Sequence, residues 1–247
     1  MSAPSSIADG AVAGLLPPAQ GKCGANMATH SKQTERLVEI PSGRRKLRGI
    51  LNVPGGAPGV VVFAHGSGSG RLSPRNQFVA RVLQEAGLAT LLIDLLEEEE
   101  AEIREKVFDI ALLAQRLQSA ADWLAGQPAT RALTLGYFGA STGAGAALAA
   151  AARCPDSVHA VVSRGGRPDL AKDDLHRVQA PTLLIVGSND DVVIELNEQA
   201  LNLLRCTKQL VIVPGATHLF PEPGALEEVS RLAMEWFVRY LSATTSS

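Results

Sequence analysis

Three side chains in this sequence could do chemistry together: a serine framed by glycines, an aspartate and a histidine, each placed just after an apolar run. Ser141 stands in Gly139-Ala140-Ser141-Thr142-Gly143, a G-x-S-x-G pattern. Apolar and β-prone residues precede it (Leu133, Thr134, Leu135, Tyr137, Phe138), and an alanine-rich segment of high helix propensity follows as far as Arg153. Strand, sharp turn and helix in that order push a serine hydroxyl out above the edge of a sheet, with the serine backbone strained. Glycines suit the positions two before and two after, because a Cβ there would clash as strand and helix pack closely. A helix beginning at about Thr142 would aim free N–H groups and its positive dipole end at an oxyanion formed beside Ser141.

A serine hydroxyl is a poor nucleophile near neutral pH and needs a base to take its proton. His218, in Pro214-Gly215-Ala216-Thr217-His218, can take that proton and later return it to a leaving group. Asp190, in Gly187-Ser188-Asn189-Asp190-Asp191, would hold the imidazole tautomer and stabilise the imidazolium, with Asp191 as the competing choice. The oxyanion needs two N–H donors, expected from Thr142 and from Ser67 in the glycine-rich stretch His65–Gly70. The other histidines have plainer roles. His65 braces the glycine loop, His159 lies inside a strand, His176 sits on a polar surface segment, and His30 is in the N-terminal tail.

Arg71, Arg75 and Arg164, with Arg167, fall in loops at the same expected sheet edge. They can bind an anionic substrate group through a guanidinium fork, or they can form ion pairs with Asp169, Asp190 or Asp191; the ion-pair reading is preferred. The run Glu97–Glu100 reads as a solvated loop and helix start favoured by the dipole. Other chemistries lack their motifs. Gly66-Ser67-Gly68-Ser69-Gly70-Arg71 has arginine where a dinucleotide fingerprint needs its last glycine, no G-K-[ST] is present, and no cluster of metal ligands occurs. No cofactor or metal is called for.

The elements that must position these residues alternate. Residues 34–40 and 46–52 alternate polar with apolar about Pro41-Ser42-Gly43, which predicts an antiparallel hairpin at a sheet edge. Gly59–Ala64 and Leu88–Asp94 read as buried strands, and the segment before Ser141, Val158–Ser163, Pro181–Val186 and Gln209–Val213 as further strands of a parallel sheet. Helices are expected at about 74–86, 107–125, 142–153, 192–204 and 226–241. The second of these carries Phe108, Ala111, Leu112, Leu117 and Trp123 near the helical period; the last has Leu232, Trp236 and Phe237 inward. Parallel βαβ units with helices on both faces follow, and in such a sheet ligands bind at the strand carboxyl ends. Residues 164–180 leave no room for a large lid.

The 247 residues, 46% hydrophobic, suffice for one α/β domain, expected over residues 33–243 after a flexible tail at 1–32. A net charge of −2 gives no electrostatic case for a nucleic-acid partner. Cys23, Cys154 and Cys206 are odd in number and fit a reducing compartment. No apolar run is long enough to cross a bilayer, and the N-terminus lacks a basic region before its short apolar patch. A cytoplasmic protein that takes a small molecule, with no nucleic-acid or membrane partner, is the expectation.

From about Glu35 to Leu241 the chain resembles the α/β-hydrolase superfamily, and within it the dienelactone-hydrolase-like branch, through FAHGSGSGRLSPRN, YFGASTGAGAAL, LLIVGSNDDVV and PGATHLF. The chain order serine, acid, histidine is the order of that superfamily. The resemblance implies an α/β-hydrolase fold: a mostly parallel eight-stranded sheet with helices on both faces and no large cap domain. It also implies a Ser141–Asp190–His218 triad. The branch's name-giving enzyme uses cysteine as nucleophile, whereas position 141 is serine, which favours a general carboxylesterase. The expected function is therefore a serine hydrolase of small or short-acyl esters. A thioesterase, lactonase or peptidase with the same triad, or a noncatalytic binding protein on the same fold, are the alternatives.

Overall fold

The computed structural model describes residues 35–242. The tail expected over residues 1–32 lies outside them, as does Cys23. Eight strands form one sheet: β1 (Arg36–Ser42), β2 (Arg45–Asn52), β3 (Gly59–Ala64), β4 (Ala89–Ile93), β5 (Thr134–Ala140), β6 (Val158–Arg164), β7 (Thr182–Gly187) and β8 (Lys208–Val213). Their order across the sheet is β1-β2-β4-β3-β5-β6-β7-β8. β1 and β2 form the expected hairpin, β2 joins β4 antiparallel, and every other neighbour is parallel.

Burial explains why the parallel strands read as unbroken apolar runs. Every residue of β3, β4 and β7 is buried, because helices cover both faces. On one face lie α1 (Pro74–Glu85) and α7 (Ala225–Leu241), which pack Val79, Leu83, Val229, Trp236 and Phe237 over Val61, Phe63, Phe138 and Val162. On the other lie α4 (Ile110–Gly126), α5 (Thr142–Arg153) and α6 (Asp191–Leu203), over Val60, Val62, Tyr137 and Val161. The α5 segment is buried from Thr142 to Ala152, squeezed between sheet and α4, so alanine is the side chain that fits. No helix among the described residues is long and apolar enough to cross a membrane.

Two expectations change. The helical stretch 107–125 is broken: single turns α2 (Glu98–Ala101) and α3 (Arg104–Val107) precede α4, whose inward face is Leu113, Ala114, Leu117, Ala120 and Leu124. Phe108, expected on that face, is 38% exposed. The acidic run is also not wholly solvated. Glu100 is buried and accepts hydrogen bonds from Arg116 Nη1 (2.6 Å) and Nη2 (3.0 Å) and from Lys106 Nζ (3.0 Å). Arg116, itself buried on α4, also donates to the Leu95 carbonyl. Four carboxylates in a row look alike in sequence; a buried arginine on the next long helix selects one of them.

The Arg116 bonds hold the Glu100 carboxyl down at about 2, against an ordinary value of 4.5. A depressed acid stabilises the fold above its unfolded value and loses that contribution as pH falls through the folded one. Urea unfolding should therefore show stability falling between about pH 4.5 and 2, a component that Glu100→Gln removes. At pH 7 the same substitution leaves Arg116 buried beside a neutral partner and should cost about 3 kcal/mol.

Candidate active site

The turn from β5 into α5 is held by backbone packing that leaves no space for side chains. A Cβ on Gly139 would lie 2.4 Å from Ala144 Cα, and one on Gly143 would lie 2.2 Å from the Ala64 carbonyl oxygen at the end of β3. Between them Ser141 adopts φ 51° and ψ −123°, a positive-φ conformation that costs a non-glycine residue of order 1–3 kcal/mol. Neighbouring backbone over-determines it. Ser141 N–H donates to the Arg164 carbonyl (3.3 Å), and the Ser141 carbonyl accepts from Ala144 N–H and Arg167 N–H (3.0 Å each).

The expected oxyanion donors lie on either side of this turn. Thr142 is the first residue of α5, and its N–H donates to no acceptor among the described residues. Ser67 N–H likewise donates to no acceptor among the described residues. Its loop passes over the serine: a Cβ on Gly66 would lie 2.9 Å from Ser141 Cβ. His65 braces that loop. Its ring bonds the Gly66 carbonyl through Nδ1 (2.9 Å), and Nε2 accepts the Leu95 N–H (2.8 Å). Nε2 as acceptor requires the neutral Nδ1–H tautomer, and burial keeps the imidazole's pKa below its ordinary value.

Asp190 and His218, the expected acid and base, come from the two loops at the carboxyl ends of β7 and β8, which are laced together. Asn189 N–H donates to the Ala216 carbonyl, Gly215 N–H to Ser188 Oγ, and Asn189 Nδ2 to the Gly215 carbonyl. Within this frame His218 Nδ1 lies 2.7 Å from Asp190 Oδ2. Asp191 begins α6 and is exposed, so of the two aspartates the structure brings Asp190 to the imidazole. A tight turn, closed by Phe220 N–H on the Thr217 carbonyl and anchored by the buried Phe220 ring, presents His218. The ring stands against Gly165: a Cβ there would lie 3.5 Å from both Nδ1 and Cε1. Gly165 follows Arg164, whose carbonyl holds Ser141, so the loop after β6 is a shared wall of serine and histidine. No hydrogen bond joins Ser141 to the His218 ring; unliganded sites commonly close that contact only around substrate.

The arginines separate into two groups. Arg71 donates its N–H to Asp94 Oδ1 (2.7 Å) and its guanidinium to Oδ2, a partner outside those expected for it. Arg167 forks onto Asp169 at 2.8 and 2.7 Å. Arg75 and Arg164 have no carboxylate within ion-pair distance among the described residues. A cleft of about 570 Å³ opens beside the glycine loop, with Ser69, Arg71, Asp94, Lys46 and Glu97 in its largely charged wall; Ser141, Asp190 and His218 do not line it. No described cluster of histidine, cysteine or acidic residues could hold a metal ion. The supporting roles of Gly165, Arg167 and the Ser188–Asn189 lacing were not foreseen, although glycine pairs and short polar residues after β6 and β7 hint at close backbone approach.

Comparison with known proteins places this geometry. The model of the dienelactone hydrolase family matches residues 47–241. A solved dienelactone hydrolase from Anabaena variabilis is 60% identical, with a TM-score of 0.82, over 85% of this chain and 99% of that one. Est1E from Butyrivibrio proteoclasticus, 17% identical, shares the fold with a TM-score of 0.71 over 82% of this chain and 98% of its own. A Mycobacterium tuberculosis protein provisionally named a phosphoribosyl transferase is 59% identical over 204 residues, 83% of this chain but 46% of that protein. The chain thus spans about half the length of such curated relatives.

Because Gly143 lies against the end of β3, Gly143→Ala should push α5 off the sheet edge. Urea unfolding should show a loss of about 2 kcal/mol or more, the upper range for overpacking. A matched Gly126→Ala at the end of α4, where a Cβ meets nothing, should be nearly neutral.

Proposed function

We propose that this chain, which belongs to the dienelactone hydrolase family, is a serine hydrolase that cleaves small or short-acyl carboxylic esters through an acyl-enzyme intermediate. The observation that carries the reading is the 2.7 Å bond from the His218 ring to Asp190, in a loop that borders the strained Ser141 turn.

The chemistry follows from which groups are engaged. Asp190 accepts the Nδ1–H of His218, which leaves Nε2 as the lone-pair nitrogen. That nitrogen takes the Ser141 proton as Oγ attacks the ester carbonyl, and the imidazolium is stabilised by the Asp190 carboxylate. Charge builds on the carbonyl oxygen, where the free N–H groups of Thr142 and Ser67 and the positive end of α5 favour it. Collapse of the tetrahedral species breaks the bond to the alcohol oxygen, which takes the proton from His218. Water then attacks the acyl carbonyl as the same imidazole takes its proton, and the bond to Ser141 Oγ breaks as Oγ takes that proton back, releasing the acid. No large cap domain stands on the described sheet edge, which suits small soluble substrates. The transferase name belongs to proteins of which this chain matches less than half, and it does not transfer to this site.

Ser141→Ala should lower kcat/KM for p-nitrophenyl acetate by about 10³-fold or more, the usual effect of removing a triad member. A fluorophosphonate should label the wild-type chain once, at Ser141, and leave Ser141→Ala unlabelled. Asp190→Asn should cost a comparable factor, whereas Asp191→Asn should cost less than twofold. Turnover preserved in purified Ser141→Ala overturns the proposal; neither turnover nor labelling in the wild type would leave a binding protein on this fold.

A further inference from the structure

Arg164 is the last residue of β6, beside Ala140 in the sheet register and one peptide bond from the wall of the His218 ring. It is 6% exposed, yet its side chain makes no hydrogen bond with any described residue, and Nε and Nη1 are buried without a partner. A guanidinium has five N–H donors and never sheds its charge near neutral pH, so burial in this state is costly. Its Cζ stands 6.0 Å from the Phe220 ring, a contact that satisfies no N–H donor.

The surroundings add positive charge. Arg75, in the first turn of α1, is half-buried, and its Nε is likewise buried without a partner. Burial, then the charge of Arg75, draws the Arg164 pKa down to about 10, which leaves Arg164 cationic at neutral pH. The first turn of α1 carries no acidic residue to offset its dipole. Asp94 is taken by Arg71, Asp169 by Arg167 and Asp190 by His218; Asp191 is exposed, and Glu222 bonds Thr217 through Oε1 and makes no ion pair with either arginine. A buried guanidinium and a half-buried one thus stand at this edge of the candidate active site with no carboxylate within ion-pair distance among the described residues.

We propose that Arg164 and Arg75 bind a phosphate monoester group carried by the substrate. The choice of phosphate rests on charge and donor count. A dianion neutralises two guanidiniums and offers three oxygens to their N–H donors, whereas a carboxylate leaves one charge uncompensated. The location of this edge at the Ser141 turn makes the group a substrate handle, a step that rests on the ester-hydrolase reading. Binding of phosphate itself does not rest on it.

Two measurements separate those claims. Calorimetric titration at constant ionic strength should show inorganic phosphate binding at least tenfold more tightly than acetate, with the phosphate affinity falling at least tenfold in Arg75→Met. For turnover, p-nitrophenyl esters of phosphonoacetic, succinic and butyric acid present dianionic, monoanionic and neutral acyl groups. Their kcat/KM should fall in that order, the first exceeding the last about tenfold or more. The ratio should approach one in Arg164→Met and fall in Arg75→Met, a half-exposed position where the fold is not at stake. Equal binding of phosphate and acetate, a succinyl ester preferred to the phosphono ester, or ratios untouched by Arg75→Met would each overturn the phosphate site. Phosphate binding that depends on Arg75 in a protein that turns over no ester would uphold the anion site and overturn the ester-hydrolase reading instead.

Discussion

Helix α5 approaches the sheet so closely that two Cβ atoms have to be missing, and the rest of the site is arranged around that approach. With glycine at 139 and 143, the α5 backbone lies against β5 and the end of β3. The chain between them is then driven into a positive-φ turn at Ser141. The strain of that turn is offset by a helix buried from Thr142 to Ala152 and by two hydrogen bonds from the strand and loop next door. The same approach leaves the Thr142 N–H pointing away from any helical acceptor, as the first N–H of a helix must be. Strain, exposed donor and raised hydroxyl are one geometric event.

The histidine is delivered differently. No regular element carries it; a turn beyond the last strand does, and such turns are mobile unless tied down. Here the loops after β7 and β8 exchange backbone and side-chain hydrogen bonds, the Phe220 ring is buried beneath, and Gly165 stands against the imidazole. The imidazole is thereby fixed relative to the carboxylate before anything binds. A ring held in one tautomer loses little further freedom when it takes a proton.

Buried charge is handled in two ways. Where it is structural it is closed: Glu100 and Arg116 satisfy each other and the Leu95 carbonyl, on the face away from Phe220. At the carboxyl edge of the sheet the pairing is incomplete. Arg71 and Arg167 have their carboxylates, while Arg164 has none and lies deeper than either. An unpaired buried cation next to the strained Ser141 turn is a cost the fold alone does not explain.

Periodicity was enough to order the strands and helices, because a sheet covered on both faces must read as continuous apolar runs between amphipathic helices. The tight turn at Ser141 was also legible, since the small residues it demands at 139, 141 and 143 are close in the chain and report a local steric constraint. What sequence left open were choices among like residues. Asp190 and Asp191 have the same chemistry, and only the path of the loop lacing decides which one meets His218. Four glutamates in a row are equivalent until Arg116 arrives from α4. Four arginines near one edge are equivalent until Asp94 and Asp169 claim two of them. Local backbone sterics are written in neighbouring letters, but the pairing of charges depends on distances between segments far apart in the chain, and those exist only after the chain has folded.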